Sequence, residues 1–454
     1  MATFKAGFGR VTITPPLGVK MAGYYHERIS EGVLDELEAN CLAVNDGENT
    51  AVLLSCDLLY CNQPQIDYTR DLINSTTGVP IDNIFICCTH THTGPYCLRG
   101  SCISSPVATH DTSRADPAYL DMLSRKMATA AQLAINDLAE TTADIGRNTV
   151  HDVAFIRRFL MKDGSAKPFP GFNHPDIVRP IGEPDETVQV LRFNREGKKS
   201  ITVVNFQVHA DMVGFEKFSA DYPRYVRETV ETVYPDTHCI YYNGPEGDLG
   251  GVDPYGDPIL YDKFSAIDRL RRAKHAGRCI AGGVMQIYEK LTPVELGTIK
   301  GMHKVVSVPT ARVTDPDKIA EAERVWAIHE AGGDDQFPMK GMDRIAYLAE
   351  AGRITKLKDG PDSFDITVYG ISFGEVAFAG FPGEPFTTVG QNTKARAPYA
   401  MTIPCALTNG ADGYFPDEEA YRGGGYENAA SVFACGVAEA LTDAAVEILE
   451  DLKK

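Results

Sequence analysis

The chain has 454 residues, 43% of them hydrophobic and 23% charged, which is ordinary soluble globular composition with length for a large core. Its formal net charge of -18 and the lack of any long basic run exclude a nucleic-acid partner, which needs a clustered Lys/Arg footprint. No apolar run approaches the ~18–20 residues that span a bilayer, and Met1–Gly7 lacks the basic stretch and apolar segment of a signal peptide.

A cytoplasmic protein without stable membrane association is therefore expected. The 11 cysteines are scattered, with no C-x-x-C pair. That pattern predicts free, mostly buried thiols in a reducing compartment rather than disulfides or a cysteine metal site.

In chain order, Ala51–Cys56 and Ile84–Cys88 read as strands, short β-branched runs bounded by turn residues. Asp116-Pro117 reads as an N-cap followed by proline at the first helical position. Leu120, Leu123, Met127, Ala131, Ala134 and Leu138 then recur at helical spacing. Ile201–Phe206 and Cys239–Tyr242 are further strands, as are Ile366–Phe373, Val376–Ala379 and Thr402–Leu407. Several are apolar enough to be buried on both faces. Between the strand-like Val305–Val308 and Ile366, residues 314–353 turn helical and charged, interrupted by Gly332-Gly333-Asp334-Asp335 and Pro338. This predicts an inserted helical hairpin, either capping a site or packed on the flank. Val437, Leu441, Ala445 and Ile448 mark a last amphipathic helix. No internal repeat is visible. The alternation predicts an α/β fold, a mixed β-sheet core flanked by helices, as a single domain over 1–454 with 314–353 as a helical insertion.

Chemistry concentrates where apolar strands run out. His90-Thr91-His92 follows Ile84–Cys88 and precedes the turn signal Gly94-Pro95. If strand alternation continued, both imidazoles would face one side. Alone, the pair fits a hydrogen-bonded strand end as well as a metal site. His209 follows Ile201–Val208, Glu384 follows Val376–Ala379 within Phe381-Pro382-Gly383-Glu384-Pro385, and Asn409-Gly410-Ala411-Asp412-Gly413-Tyr414 follows Thr402–Leu407. Strand ends offering His, His and Glu could supply the three protein ligands of a catalytic zinc site.

The opening Ala6-Gly7-Phe8-Gly9-Arg10-Val11-Thr12-Ile13-Thr14-Pro15-Pro16, with Met21-Ala22-Gly23-Tyr24 and Leu34–Ala39, resembles the start of neutral/alkaline ceramidases. The T-H-T-H-T-G-P, P-G-E and N-x-x-x-x-Y segments and Tyr426-Glu427-Asn428-Ala429-Ala430-Ser431 follow in that family's order. The resemblance implies the family's catalytic domain, without its C-terminal immunoglobulin-like domain. It implies Zn2+ held by His90, His209, Glu384 and Tyr414. It also implies active-site roles for His92, Arg157 and Tyr426, although isoleucine precedes Arg157 where the family has asparagine. A histidine bonding backbone, a surface arginine and a core tyrosine are the structural alternatives for these three. One departure stands out: the family's G-D-x-S-P is Gly247-Asp248-Leu249-Gly250-Gly251 here, so the implicated serine is Gly250. Asp248 is retained, to orient a ligand or backbone amide or to cap a turn.

The resulting expectation is a zinc-dependent hydrolase that cleaves an amide or ester bond of a small, polar substrate by activated water. In it His92 moves a proton, Tyr426 steadies the oxyanion and Arg157 holds a polar part of the substrate. A metal-dependent lyase or isomerase acting on a sugar or hydroxy acid is the alternative, and a non-catalytic binding protein a third reading.

Overall fold

The computed structural model describes residues 3–100, 112–256 and 266–454. Lys5–Thr12 pairs antiparallel with Glu38–Asn45, which pairs antiparallel with Thr50–Cys56. The helix Gln63–Thr77 then carries the chain to Ile84–Cys88, parallel to Thr50–Cys56. A second helix, Pro117–Asn136, packs on the first strand and beside the first helix.

This pattern recurs twice, although no repeat is visible in the residues. Ala139–Thr149, Thr187–Arg195 and Ser200–Phe206 are antiparallel neighbours, and the helix Tyr222–Val233 leads to the parallel strand Thr237–Asn243. The helix Ala266–Ile287 packs across them. In the third unit Ile299–Pro309, Ser363–Phe373 and Val376–Gly380 are antiparallel, and Thr387–Arg396 leads to the parallel strand Met401–Cys405. Val437–Lys453 is its closing helix. The first two units join through Lys5↔Glu140 and Ala6↔Ala139 into one mixed sheet, while the third is a separate four-stranded sheet.

Side-chain alternation explains why the units stay together. Leu42 and Val44 face inward, where they share one cluster with Leu191, Val203 and Ile240 of the second unit and Ile371, Phe378 and Ile403 of the third. Cys41 and Ala43 face outward, beneath Leu123 and Met127 of the helical layer. The other two units have matching outer clusters under their own helices. Strands buried on both faces must be apolar throughout, and each buried Leu or Phe stabilises by about 1.5–3 kcal/mol.

The hairpin expected at 314–353 forms as the helices Pro316–Glu330 and Gly341–Leu357, in the connection from first to second strand of the third unit. None of its residues lines the cavity described below. Instead, Gly341–Leu357 packs on the short helix Tyr426–Ala430, and Arg353 donates to Ala429 O (3.1 Å) and Ala311 O (2.7 Å). It is a buttress. The described cysteines are free thiols, most of them buried. Among the described residues no helix is long and apolar enough to cross a membrane.

In each unit the third and fourth strands run parallel, so both end on the same side of the sheet. The link from first to second strand begins on that side too. The three fourth-strand ends are tied together: Cys88 N donates to Leu407 O (3.2 Å), Ala406 N to Asn243 O (3.1 Å) and Asn243 Nδ2 to Thr89 O (3.3 Å). Loops carrying chemistry from all three units therefore meet at one place.

Candidate metal centre

His90 lies two residues past the end of Ile84–Cys88 and has φ 69°, a left-handed conformation uncommon outside glycine. The strand does not continue, so alternation is not what aligns His90 with His92. Both histidines lie beyond the strand, and their rings meet edge to face with centroids 4.9 Å apart. His209 enters from the second unit, three residues past the end of Ser200–Phe206 rather than directly on its strand.

The three imidazoles share a wiring. His90 Nδ1 lies 3.0 Å from Leu59 O, His92 Nδ1 2.8 Å from Gly23 O, and His209 Nδ1 3.5 Å from Glu246 O. A carbonyl can only accept, so each Nδ1 carries the proton and each Nε2 keeps its lone pair. Those Nε2 atoms converge, 3.0 Å apart for His90 and His209 and 3.4 Å for His90 and His92. Lone pairs facing one another repel unless a cation sits between them. Carbonyl-bound Nδ1 groups of this kind orient metal-ligating histidines. Burial pushes His92 down to about 4 and His209 well below the usual histidine range, the latter helped by the Arg157 charge. Both rings are thus neutral, as ligation requires.

Glu384 joins from the third unit, its Oε2 3.4 Å from His90 Nε2 and 3.9 Å from His209 Nε2. Burial works to raise the Glu384 pKa, and the Arg157 charge and the Tyr414 hydroxyl act against it. Oε2 itself has no hydrogen-bond partner. A carboxylate ionised, buried and incompletely satisfied beside three imidazole lone pairs fits a divalent cation. Two overlapping groups have the required ligand spacing, His90/His92/His209 and His90/Glu246/Glu384, each within 4.8 Å.

Tyr414 pairs with Glu384 in a short parallel bridge, and its hydroxyl lies 3.2 Å from Arg157 Nη2. Arg157 also donates to Glu427 Oε1 (2.8 Å) and Gly247 O (2.8 Å). Its charge is matched by the fully buried Glu427, so it grips the site's own wall, and it is not among the residues lining the cavity. Tyr426 stacks edge-on to Tyr414 and hydrogen-bonds Tyr25 from the first unit. Tyr24, Tyr25, His90, His92, Glu384, Tyr414 and Tyr426 line a cavity of about 100 Å³.

All seven residues singled out from sequence are brought together here. Glu246 was missed. It lies in Gly244-Pro245-Glu246-Gly247, three residues past the strand Thr237–Asn243, with the same strand-end placement as Glu384. Asp248 proves to be an anchor: its Oδ1 accepts from Thr387 N (2.8 Å) and Oγ1 (2.9 Å), fixing the helix that follows Glu384. At Gly250 a Cβ would lie 3.7 Å from Arg157 Cβ, in ordinary contact, so the missing hydroxyl reflects residue choice and not lack of room.

The fold is that of neutral ceramidases. A neutral ceramidase from Pseudomonas aeruginosa superposes with a TM-score of 0.73 at 15% identity, over 99% of this chain and 75% of that one. A ceramidase complexed with C2 gives 0.74 at 14% identity, over 100% and 76%. No protein-family model and no curated protein sequence matches the chain. At these identities the likeness is one of fold.

Proposed function

We propose that this chain is a metal-dependent hydrolase, using zinc, that cleaves an amide or ester bond in a small, polar substrate by direct attack of water. The observation that carries the reading is the convergence of His90, His209 and Glu384, one from each unit, beside a cavity lined by His90, His92, Glu384 and Tyr426. The neighbours' activity on ceramides supports amide chemistry. His90, His209, Glu384 and Tyr414 would hold the ion. Bound zinc supplies Lewis acidity, enough to bring the pKa of water from 15.7 to about 7.

The remaining steps belong to side chains. His92 is neutral, its Nδ1–H is fixed on Gly23 O, and its Nε2 lies 3.4 Å from His90 Nε2 in the cavity it lines. It accepts the proton of the attacking water and passes it to the leaving nitrogen or oxygen. Tyr426, held by Tyr25, donates to the developing oxyanion. Arg157 fixes the Tyr414 hydroxyl. Gly250 offers no nucleophile, which supports attack without a covalent intermediate. The cavity of about 100 Å³ is well under the ~300–1,000 Å³ of drug-sized ligand sites, and so favours a short acyl group over a lipid.

The test is a panel of small N-acyl and ester compounds given to zinc-loaded and chelated protein. Carboxylate release that the chelator abolishes and zinc restores is expected. Solvent deuterium entering carbon without cleavage would instead support lyase or isomerase chemistry. A fully loaded protein inert on the whole panel would count against hydrolysis.

A further inference from the structure

Glu246 is fully buried, yet neither carboxylate oxygen reaches a hydrogen-bond partner. An unpaired buried carboxylate is among the costlier features a fold can retain. The side chain is also aimed: one of its oxygens lies within 4.8 Å of both the His90 nitrogen and the Glu384 oxygen. Its backbone is held in that position. Gly247 N donates to Pro385 O (2.9 Å), and a Cβ on Gly247 would collide with the Glu384 carbonyl, so the two glutamate-bearing loops are pressed together main chain to main chain. Topology points the same way. The fourth strand of the first unit leads into His90 and that of the third into Tyr414, and Glu246 stands after the fourth strand of the second.

Charge accounting narrows what the carboxylate faces. Arg157 is the nearby cation, and it shares the buried Glu427 with Arg158, at 2.8 and 3.7 Å. Two arginines therefore stand against three carboxylates, Glu427, Glu246 and Glu384, and the pocket keeps a negative excess. A divalent cation offsets that excess.

We infer that Glu246 is a direct ligand of the metal, adding a second carboxylate to His90, His209 and Glu384. The inference rests on the metal-site reading above. With Tyr414, Glu246 would bring the protein donors to five, a set richer in oxygen than the three-ligand catalytic zinc centre.

The experiment compares wild type, E246Q and H90A, using Zn2+ and Co2+ as probes. The readouts are metal stoichiometry, Kd by chelator competition, and the Co2+ visible spectrum. E246Q is nearly isosteric, and removing an unpaired buried charge should leave the metal-free variant melting no lower than metal-free wild type. Its Kd should rise at least about tenfold, and its Co2+ bands should change in position and intensity. A Kd within twofold of wild type with an unchanged spectrum, while H90A loses the metal, would overturn the role of Glu246 and leave the metal site standing. Wild type that binds neither ion would remove both. X-ray absorption on zinc-loaded wild type and E246Q adds a direct count: one fewer oxygen neighbour in E246Q supports the inference, and an unchanged first shell contradicts it.

Discussion

At the scale of single residues, the site depends on where backbone approaches backbone. Gly247 sits against the Glu384 carbonyl with no room for a methyl group, whereas Gly250 three positions on has 3.7 Å to Arg157 Cβ. Gly247→Ala should therefore displace the Glu384 segment, costing about 1–3 kcal/mol as overpacking does and weakening metal binding. Gly250→Ala should stay within about 0.5 kcal/mol. Urea unfolding of the two variants with and without zinc checks the contrast, and equal effects would contradict it. Asp221 allows a pH test. Its carboxylate accepts from Met212 N (2.9 Å), Val213 N (2.6 Å) and Tyr222 N (2.6 Å), yet burial raises its pKa to about 7. A folded pKa above the unfolded value of about 3.9 means the folded state binds the proton more tightly between pH 4 and 7. Its contribution to stability is fully present below pH 4 and is lost as pH rises through 7, by up to about 1.4 kcal/mol per unit. Asp221→Asn adds a constant offset but cannot titrate. The stability difference between wild type and variant, measured by urea unfolding of chelated protein at pH 5 and pH 7, should therefore shift toward the variant at pH 7. A pH-independent difference would refute the assignment.

At the scale of elements, what sequence can show depends on how burial is distributed along a strand. Ile84–Cys88 and Val376–Gly380 are buried at every position and read as apolar runs, so the His90 and Glu384 that follow them could be picked out. Ala139–Thr149 buries only Ala143 and Ile145, and its remaining residues are largely polar, so it carries no apolar run although it joins two units of the sheet. Glu246 obeyed the strand-end rule, but Gly244-Pro245 and Gly247 around it read as a turn. The threefold pattern is carried by backbone pairing, which constrains burial and not residue identity, so no repeat shows in the letters. Asn409 illustrates a contact that only structure reveals: at φ 54° its side chain accepts from Ile86 N (2.9 Å), satisfying the edge of Ile84–Cys88 while it launches the loop to Tyr414. Equivalent strand ends also diverge in use. After the third strand of the first unit stands Asp57, which is paired with the buried Arg227 of the second unit through 3.0 and 2.6 Å contacts instead of facing the cavity. Asp57→Ala should cost about 3–5 kcal/mol by stranding that arginine. Arg227→Met in the same chain should recover part of the loss, so the double variant falls well short of the summed single effects. Additive costs in denaturant unfolding would show that the pair is not coupled.

At the scale of the whole molecule, the donors span its architecture. His90 belongs to the first unit, His209 to the second and Glu384 to the third, and the hydrogen bonds among their strand ends run through Asn243, Ala406 and Thr89 directly beneath. A cation at that point binds only when all three units are docked, so its binding energy adds to the stability of the assembled fold. One-site linkage gives about 4.1 kcal/mol at a free ion concentration of 1,000 Kd, falling by about 1.4 kcal/mol for each tenfold dilution. Chelation should therefore lower the unfolding midpoint, and zinc should restore it in proportion to the logarithm of its free concentration. The architecture makes a sharper prediction than that. Ala substitution of His90, His209 or Glu384 should abolish most of the same zinc-dependent increment, whichever unit carries the change, because each removes a ligand of one shared ion. If the ion were held within a single unit, two of the three substitutions would leave the increment intact. Thermal unfolding of the three variants across a buffered zinc series distinguishes these outcomes without reference to any substrate. Equal loss in all three would identify the ion as the fastening between units, and the fold's threefold arrangement as the means by which distant strand ends become one coordination sphere.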